Sequence, residues 1–196
     1  MIDKIENWEH IFLDTSVIID LFVNSDSLIN NKPVQERVIN TQKLFDYFNK
    51  VDKTFTFYVS AITIAEMTRG NKEKLIDALF VFFGNSNLTF VDYTKEIAIQ
   101  ISKNIKEYIP EYNYNQLISQ LKKEIKNDTD VINARNWITD DLKIVSSAKS
   151  LNKIDVVLTA DKKTFVPIAE RLKLPILQTN NLPKDLFNDI SPITSI

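Results

Sequence analysis

Acidic residues at four places along the chain carry the chemistry open to it: Asp14, Glu66, the adjacent pair Asp140 and Asp141, and Asp161. Asp14 follows the apolar run His10 to Leu13, and Asp161 follows Asp155 to Thr159. In an open parallel sheet, ligands bind just beyond the carboxyl ends of strands, at the point where strand order reverses. These two acids are therefore expected at one edge, and the elements holding Glu66 and Asp140-Asp141 are close enough in chain order to join them. Gathered carboxylates repel and raise one another's pKa, so such a cluster is costly until cations neutralise it. The chain has no cysteine and a single histidine, His10. The remaining ligands are hard oxygens, which suit Mg2+ or Mn2+ and the hydrolysis of a phosphate ester.

Helical spacing separates the two neighbouring acids. The positions three, four and seven residues after Asp141 are Ile144, Val145 and Ala148, whereas those after Asp140 are Lys143, Ile144 and Ser147. Asp141 is expected to point inward and Asp140 to lie on a more polar face. Glu66 borders the apolar face of its helix through Ile62. Each acid also has a plainer explanation. Asp14 could cap a helix, Glu66 could be solvated, Asp140-Asp141 could complement the dipole of a helix that they open, and Asp161 could make a turn. Asp20, Asp128 and Asp130 are assigned to structure, as is His10.

The elements that must position these acids alternate. Strands are expected at His10 to Leu13, Phe55 to Val59, Leu88 to Val91, Asp155 to Thr159 and Pro175 to Leu177. Helices are expected at Val17 to Val23 with Ser16 as cap, from Pro33 through Phe48, at Ala61 to Arg69 between Ser60 and Gly70, and at Lys72 to Phe83 ending at Gly84. Thr94 to Tyr108, Tyr112 to Lys126, about Asp140 to Ser150, and Phe165 to Leu172 complete the helical set. Short apolar strands separated by helices argue for an α/β class with a parallel sheet covered on both faces.

Composition narrows the function further. The chain has 196 residues, 44% of them hydrophobic, and a formal net charge of -2, so it can build a core but casts no strong field toward nucleic acid or an anionic membrane. Only two glycines occur, Gly70 and Gly84, so neither glycine-rich nucleotide-binding motif can be written and no nucleotide cofactor is expected. No apolar run approaches the roughly 18 residues of a membrane span, and a cytoplasmic protein that does not engage a membrane is expected.

Four segments together resemble the PIN-domain ribonucleases, the family that includes the VapC-type toxins of toxin–antitoxin pairs. They are Leu13 to Ile18 (LDTSVI), Ser60 to Glu66 (SAITIAE), Asp141 to Ala148 (DLKIVSSA) and Leu158 to Phe165 (LTADKKTF), in the family's order and over nearly the whole chain. The resemblance implies a three-layer α/β/α sandwich with a mainly parallel sheet, formed by residues 1–196 as one domain. It also implies a metal-dependent endoribonuclease in which Asp14, Glu66, Asp141 and Asp161 hold Mg2+ or Mn2+, with Ser16 and Thr159 as hydroxyl helpers and Asp140 in support. RNA would be the substrate, and an antitoxin protein and a second copy of the chain the partners. Arg69, Lys162 and Lys163 follow the acids closely and are candidates for RNA phosphates, against the plainer reading of a solvated surface. The chain departs from the compact toxins by an extra helical segment at about 110–138, which includes Trp137. Two rival readings remain. One is a haloacid-dehalogenase-type phosphatase with Asp14 as nucleophile, although Ser16 stands where those enzymes place a second Asp. The other is a non-catalytic RNA- or protein-binding domain.

Overall fold

A computed structural model describes residues 4–70, 72–84, 87–125, 134–183 and 186. Its centre is a sheet of five strands: β1 (His10–Leu13), β2 (Thr56–Ser60), β3 (Leu88–Val91), β4 (Val156–Thr159) and β5 (Ile176–Gln178). Their order is β3-β2-β1-β4-β5, and every neighbouring pair is parallel. The chain builds outward from β1 to β3, then returns to the other side of β1 to lay down β4. The reversal of strand order thus falls between β1 and β4, where Leu13 stands opposite Leu158. Asp14 follows immediately on one side, and Thr159 and Asp161 on the other.

Alternation along the strands divides the core. Ile11, Leu13, Val59, Val156 and Leu158 face one layer, which contains α1 (Thr15–Phe22), α2 (Lys32–Lys50) and α4 (Glu73–Phe83). Phe12 and Val157 face the other, which contains α5 (Lys95–Tyr108), α6 (Tyr114–Glu124), α7 (Ala134–Ser150) and α8 (Phe165–Arg171). Because both faces are covered, the central strands are apolar on both sides, which is why they read as continuous hydrophobic runs. The helix α3 (Ala61–Arg69) follows β2 and touches both clusters, Met67 packing with the first and Ile62 with the second. This is the expected three-layer α/β/α class.

Most elements match their expected bounds to within two residues. Ser60 caps α3 by accepting a hydrogen bond from Ile62 N at 3.2 Å, and Gly84 ends α4 at φ 60, a left-handed conformation that glycine adopts without strain. Two expectations need correction. Ser16 does not cap α1: the N-cap position belongs to Asp14, whose side chain makes no capping hydrogen bond. The helix α7 starts at Ala134 rather than near Asp140, because Ala134 and Ile138 extend its buried stripe by a further turn and more. Asp140 and Asp141 therefore sit in mid-helix, where they cannot act on an N-terminal dipole.

Asp20 is buried and held by Arg37 through two hydrogen bonds of 2.7 Å, and His10 Nδ1 lies 3.1 Å from the Tyr58 hydroxyl, so both have structural roles. Lys126, Asp128 and Asp130, with the end of the expected Tyr112 to Lys126 helix, lie outside the described residues. No helix among the described residues is long and apolar enough to cross a membrane.

Candidate functional site

The chain leaves β1 at Leu13 and turns at once into α1, which places Asp14 at the strand's carboxyl end with 2% exposure. Its Oδ2 accepts hydrogen bonds from the Ser16 hydroxyl at 2.5 Å and the Thr159 hydroxyl at 2.8 Å. Those two hydroxyls are themselves fixed by the neighbouring strand end: Ala160 N donates to Ser16 Oγ at 2.9 Å and Asp161 N to Thr159 Oγ1 at 3.0 Å. The β1–α1 and β4–α8 turns are thus tied together around one carboxylate, which explains why Asp14 does not cap its helix.

Three further acids meet Asp14 at a cleft of about 840 Å³. Glu66, half-buried on α3, accepts a 2.5 Å hydrogen bond from the Thr15 hydroxyl, which also lies 3.1 Å from Thr63 Oγ1. Asp141 projects from the middle of α7 with 7% exposure, and its Oδ2 is buried without a hydrogen-bond partner among the described residues. Asp161 accepts from the backbone N–H groups of Lys163 and Thr164 and from the Thr164 hydroxyl, at 2.7, 3.2 and 2.5 Å. The turn expected at Asp161 is therefore present, and its carboxylate also borders the cleft.

Electrostatics follow from this crowding. Burial, with added repulsion from Asp161 and Glu66, raises the Asp14 pKa from 3.8 to about 7 against the pull of its two hydroxyl donors. Burial first, then the charges of Asp14 and Asp161, pushes the Asp141 pKa well above its ordinary value. Glu66 is also raised, mainly by burial and further by Asp140 and Asp161, while the Thr15 hydroxyl and Arg69 oppose the shift.

Asp140 behaves differently. Burial works to raise its pKa, but hydrogen bonds from Lys143 and Arg69 outweigh it and leave the group below its ordinary value. Lys143 donates to Asp140 Oδ1 at 2.8 Å, and Arg69 is ion-paired with Oδ2. Asp140 and Arg69 are thus paired where both line the cleft. Of the three cations considered for RNA phosphates, Arg69 and Lys163 line the cleft, whereas Lys162 is exposed outside its lining.

The donor chemistry suits a hard divalent cation. Four carboxylates supply oxygen, three of them with raised pKa values, and among the described residues Asp141 Oδ2 lacks the partner that a buried carboxylate oxygen requires. As the side chains stand, hydroxyls and backbone N–H groups occupy several of the acceptors, and no group of three or more acids or imidazoles among the described residues is close enough to hold one ion. Thr15, Thr63 and Thr164 were not singled out from sequence. The signal was present, since each lies one to three residues from a candidate acid and hydroxyls are the donors that a buried carboxylate needs.

No protein-family model matches the chain, and no curated protein matches it. Among solved structures, the chain is similar to VapBC2 from Rickettsia felis bound to a DNA fragment from its promoter. The match covers 86% of this chain and 98% of that one, at 18% identity and a TM-score of 0.44. A likeness at that level assigns the chain to no family.

Proposed function

We propose that the protein is a divalent-metal-dependent endoribonuclease of PIN-like type, with Asp14, Glu66, Asp141 and Asp161 as its metal-binding and catalytic acids. The observation that carries this reading is the buried, unpartnered Oδ2 of Asp141 beside an Asp14 whose pKa is raised to about 7, at the strand-order reversal of a parallel sheet. A cluster of this kind is expensive for a scaffold and inexpensive for a cation site.

When bound, Mg2+ or Mn2+ supplies Lewis acidity and neutralises charge at a phosphodiester. The chain's own residues provide the frame. Ser16 and Thr159 both donate to Asp14 Oδ2 and fix its orientation, while Thr15 does the same for Glu66. Asp140 keeps Arg69 at the cleft, where Lys72 and Lys163 add positive charge along the path of an RNA backbone. The motif resemblance to VapC-type toxins makes an antitoxin protein and a second copy of the chain the partners to seek first.

The experiment is cleavage of an RNA panel with and without Mg2+ or Mn2+ by the wild type, Asp14→Asn and Asp141→Asn. Metal-dependent cleavage by the wild type alone is expected, and equal activity in all three proteins would reject the assignment. A covalent phosphate on Asp14 would instead support the phosphatase reading, and metal-independent RNA or protein binding without turnover the non-catalytic one.

A further inference from the structure

One wall of the cleft is aromatic. The chain has two tryptophans, of which Trp8 is 0% exposed and packed in the core, whereas Trp137 is 44% exposed. A tryptophan has much apolar surface to hide, so one left open at a polar cleft leaves a ring face available to a ligand. Trp137 lies three residues before Asp140 and four before Asp141 on α7, positions that share one helix face, and all three line the cleft. The ring and the acids are therefore one helical turn apart, about 5.4 Å along the axis. That offset is comparable to the reach from a nucleobase to the phosphate of its own nucleotide.

Charge agrees with this placement. Arg69, Lys72 and Lys163 line the same cleft beside five acids, with Arg69 paired to Asp140, so once a divalent cation offsets the acids a phosphate backbone meets positive side chains along its path. An aromatic face beside a cationic track is how proteins bind single-stranded nucleic acid, because every base has a π-face and stacking tolerates any sequence. A base within a duplex is already stacked on both sides and must be pulled out before it can use such a face.

We propose that Trp137 is the stacking platform for an unpaired base adjoining the scissile phosphate, so that the cleft selects single-stranded over paired RNA. The proposal rests on the nuclease reading and adds to it a positioning residue outside the four acids. Because Trp8 is buried, intrinsic fluorescence reports on Trp137 when ligand binds.

The test uses the full-length chain carrying Asp141→Asn, to prevent cleavage, with and without Trp137→Ala or Trp137→Phe. The probes are a short mixed-sequence single-stranded oligoribonucleotide and the same strand annealed to its complement. Single-stranded RNA should quench the fluorescence of the Trp137-containing protein, and the duplex should not. Trp137→Ala should weaken single-strand binding about tenfold, and Trp137→Phe should restore most of it, with thermal midpoints unchanged. Equal affinity in the Ala variant, equal quenching by duplex, or no quenching by either probe would overturn the proposal. Cleavage by the chain without Asp141→Asn is scored separately. Quenching without cleavage would remove the nuclease reading and leave the stacking site, whereas cleavage with no effect of Trp137→Ala on binding would do the reverse.

Discussion

Replacing Asp14 by Asn should make the metal-free protein more stable at neutral and alkaline pH. In the unfolded chain Asp14 ionises near its ordinary 3.8, and in the folded protein burial and the neighbouring acids raise this to about 7. Between these values the native state holds a proton that the unfolded state has lost, so stability falls as pH rises through that window and the loss is complete above it. The interval corresponds to about 4 kcal/mol. Asn cannot ionise and escapes this loss. Its amide meets two hydroxyl donors at one oxygen, and the imperfect fit returns about 1 kcal/mol of the gain. The net expectation is that Asp14→Asn and the wild type are similar near pH 4 and differ by about 3 kcal/mol in favour of the variant at pH 8. Urea unfolding in the presence of EDTA across this range measures the difference; titrations remote from Asp14 cancel in it, whereas Asp141, whose pKa the Asp14 charge helps to raise, is relieved in the variant and adds to the gain at high pH. A difference that stays flat with pH would refute the reasoning.

Other consequences reach different parts of the molecule. Thr159→Val removes one of the two donors to Asp14 Oδ2 and should move the Asp14 transition to higher pH in the same measurement. Arg37→Ala leaves the buried Asp20 carboxylate without its partner and should cost about 3 kcal/mol in urea unfolding at pH 7. Ile138→Ala should cost about 3 kcal/mol by the same assay, because α7 extends back past Asp140 and buries this side chain completely; a loss near zero would place Ile138 outside the core.

The layers and the sheet edge that carries the candidate site were legible because their signals are local and repeated. Apolar strands such as Ile11 to Leu13 and Val156 to Leu158, each followed within three residues by an acid, specify both a doubly covered sheet and the end of it where ligands bind. The inward face of Asp141 followed from helical spacing with Ile144, Val145 and Ala148. What was not legible depends on contacts distant in sequence. The burial of Asp140 arises because Arg69, on another helix, and Lys143, one turn along, supply charges that offset its desolvation. Ser16 was misread as a cap because its hydroxyl is claimed by Asp14 and by Ala160 N, across the β1–β4 junction. The same reading stopped α7 short. Polar residues around Trp137 obscured a stripe that begins at Ala134.

The proposed nuclease activity requires that the acids of the β1–β4 junction take up a hard cation. Crystals of the wild-type protein soaked in Mn2+ and measured for anomalous scattering test this directly. An anomalous peak is expected in the cleft with Asp14 and Asp141 among its ligands, absent from Asp141→Asn crystals treated identically. A cleft empty of anomalous density in wild-type crystals, or a peak that survives in the variant, would contradict it.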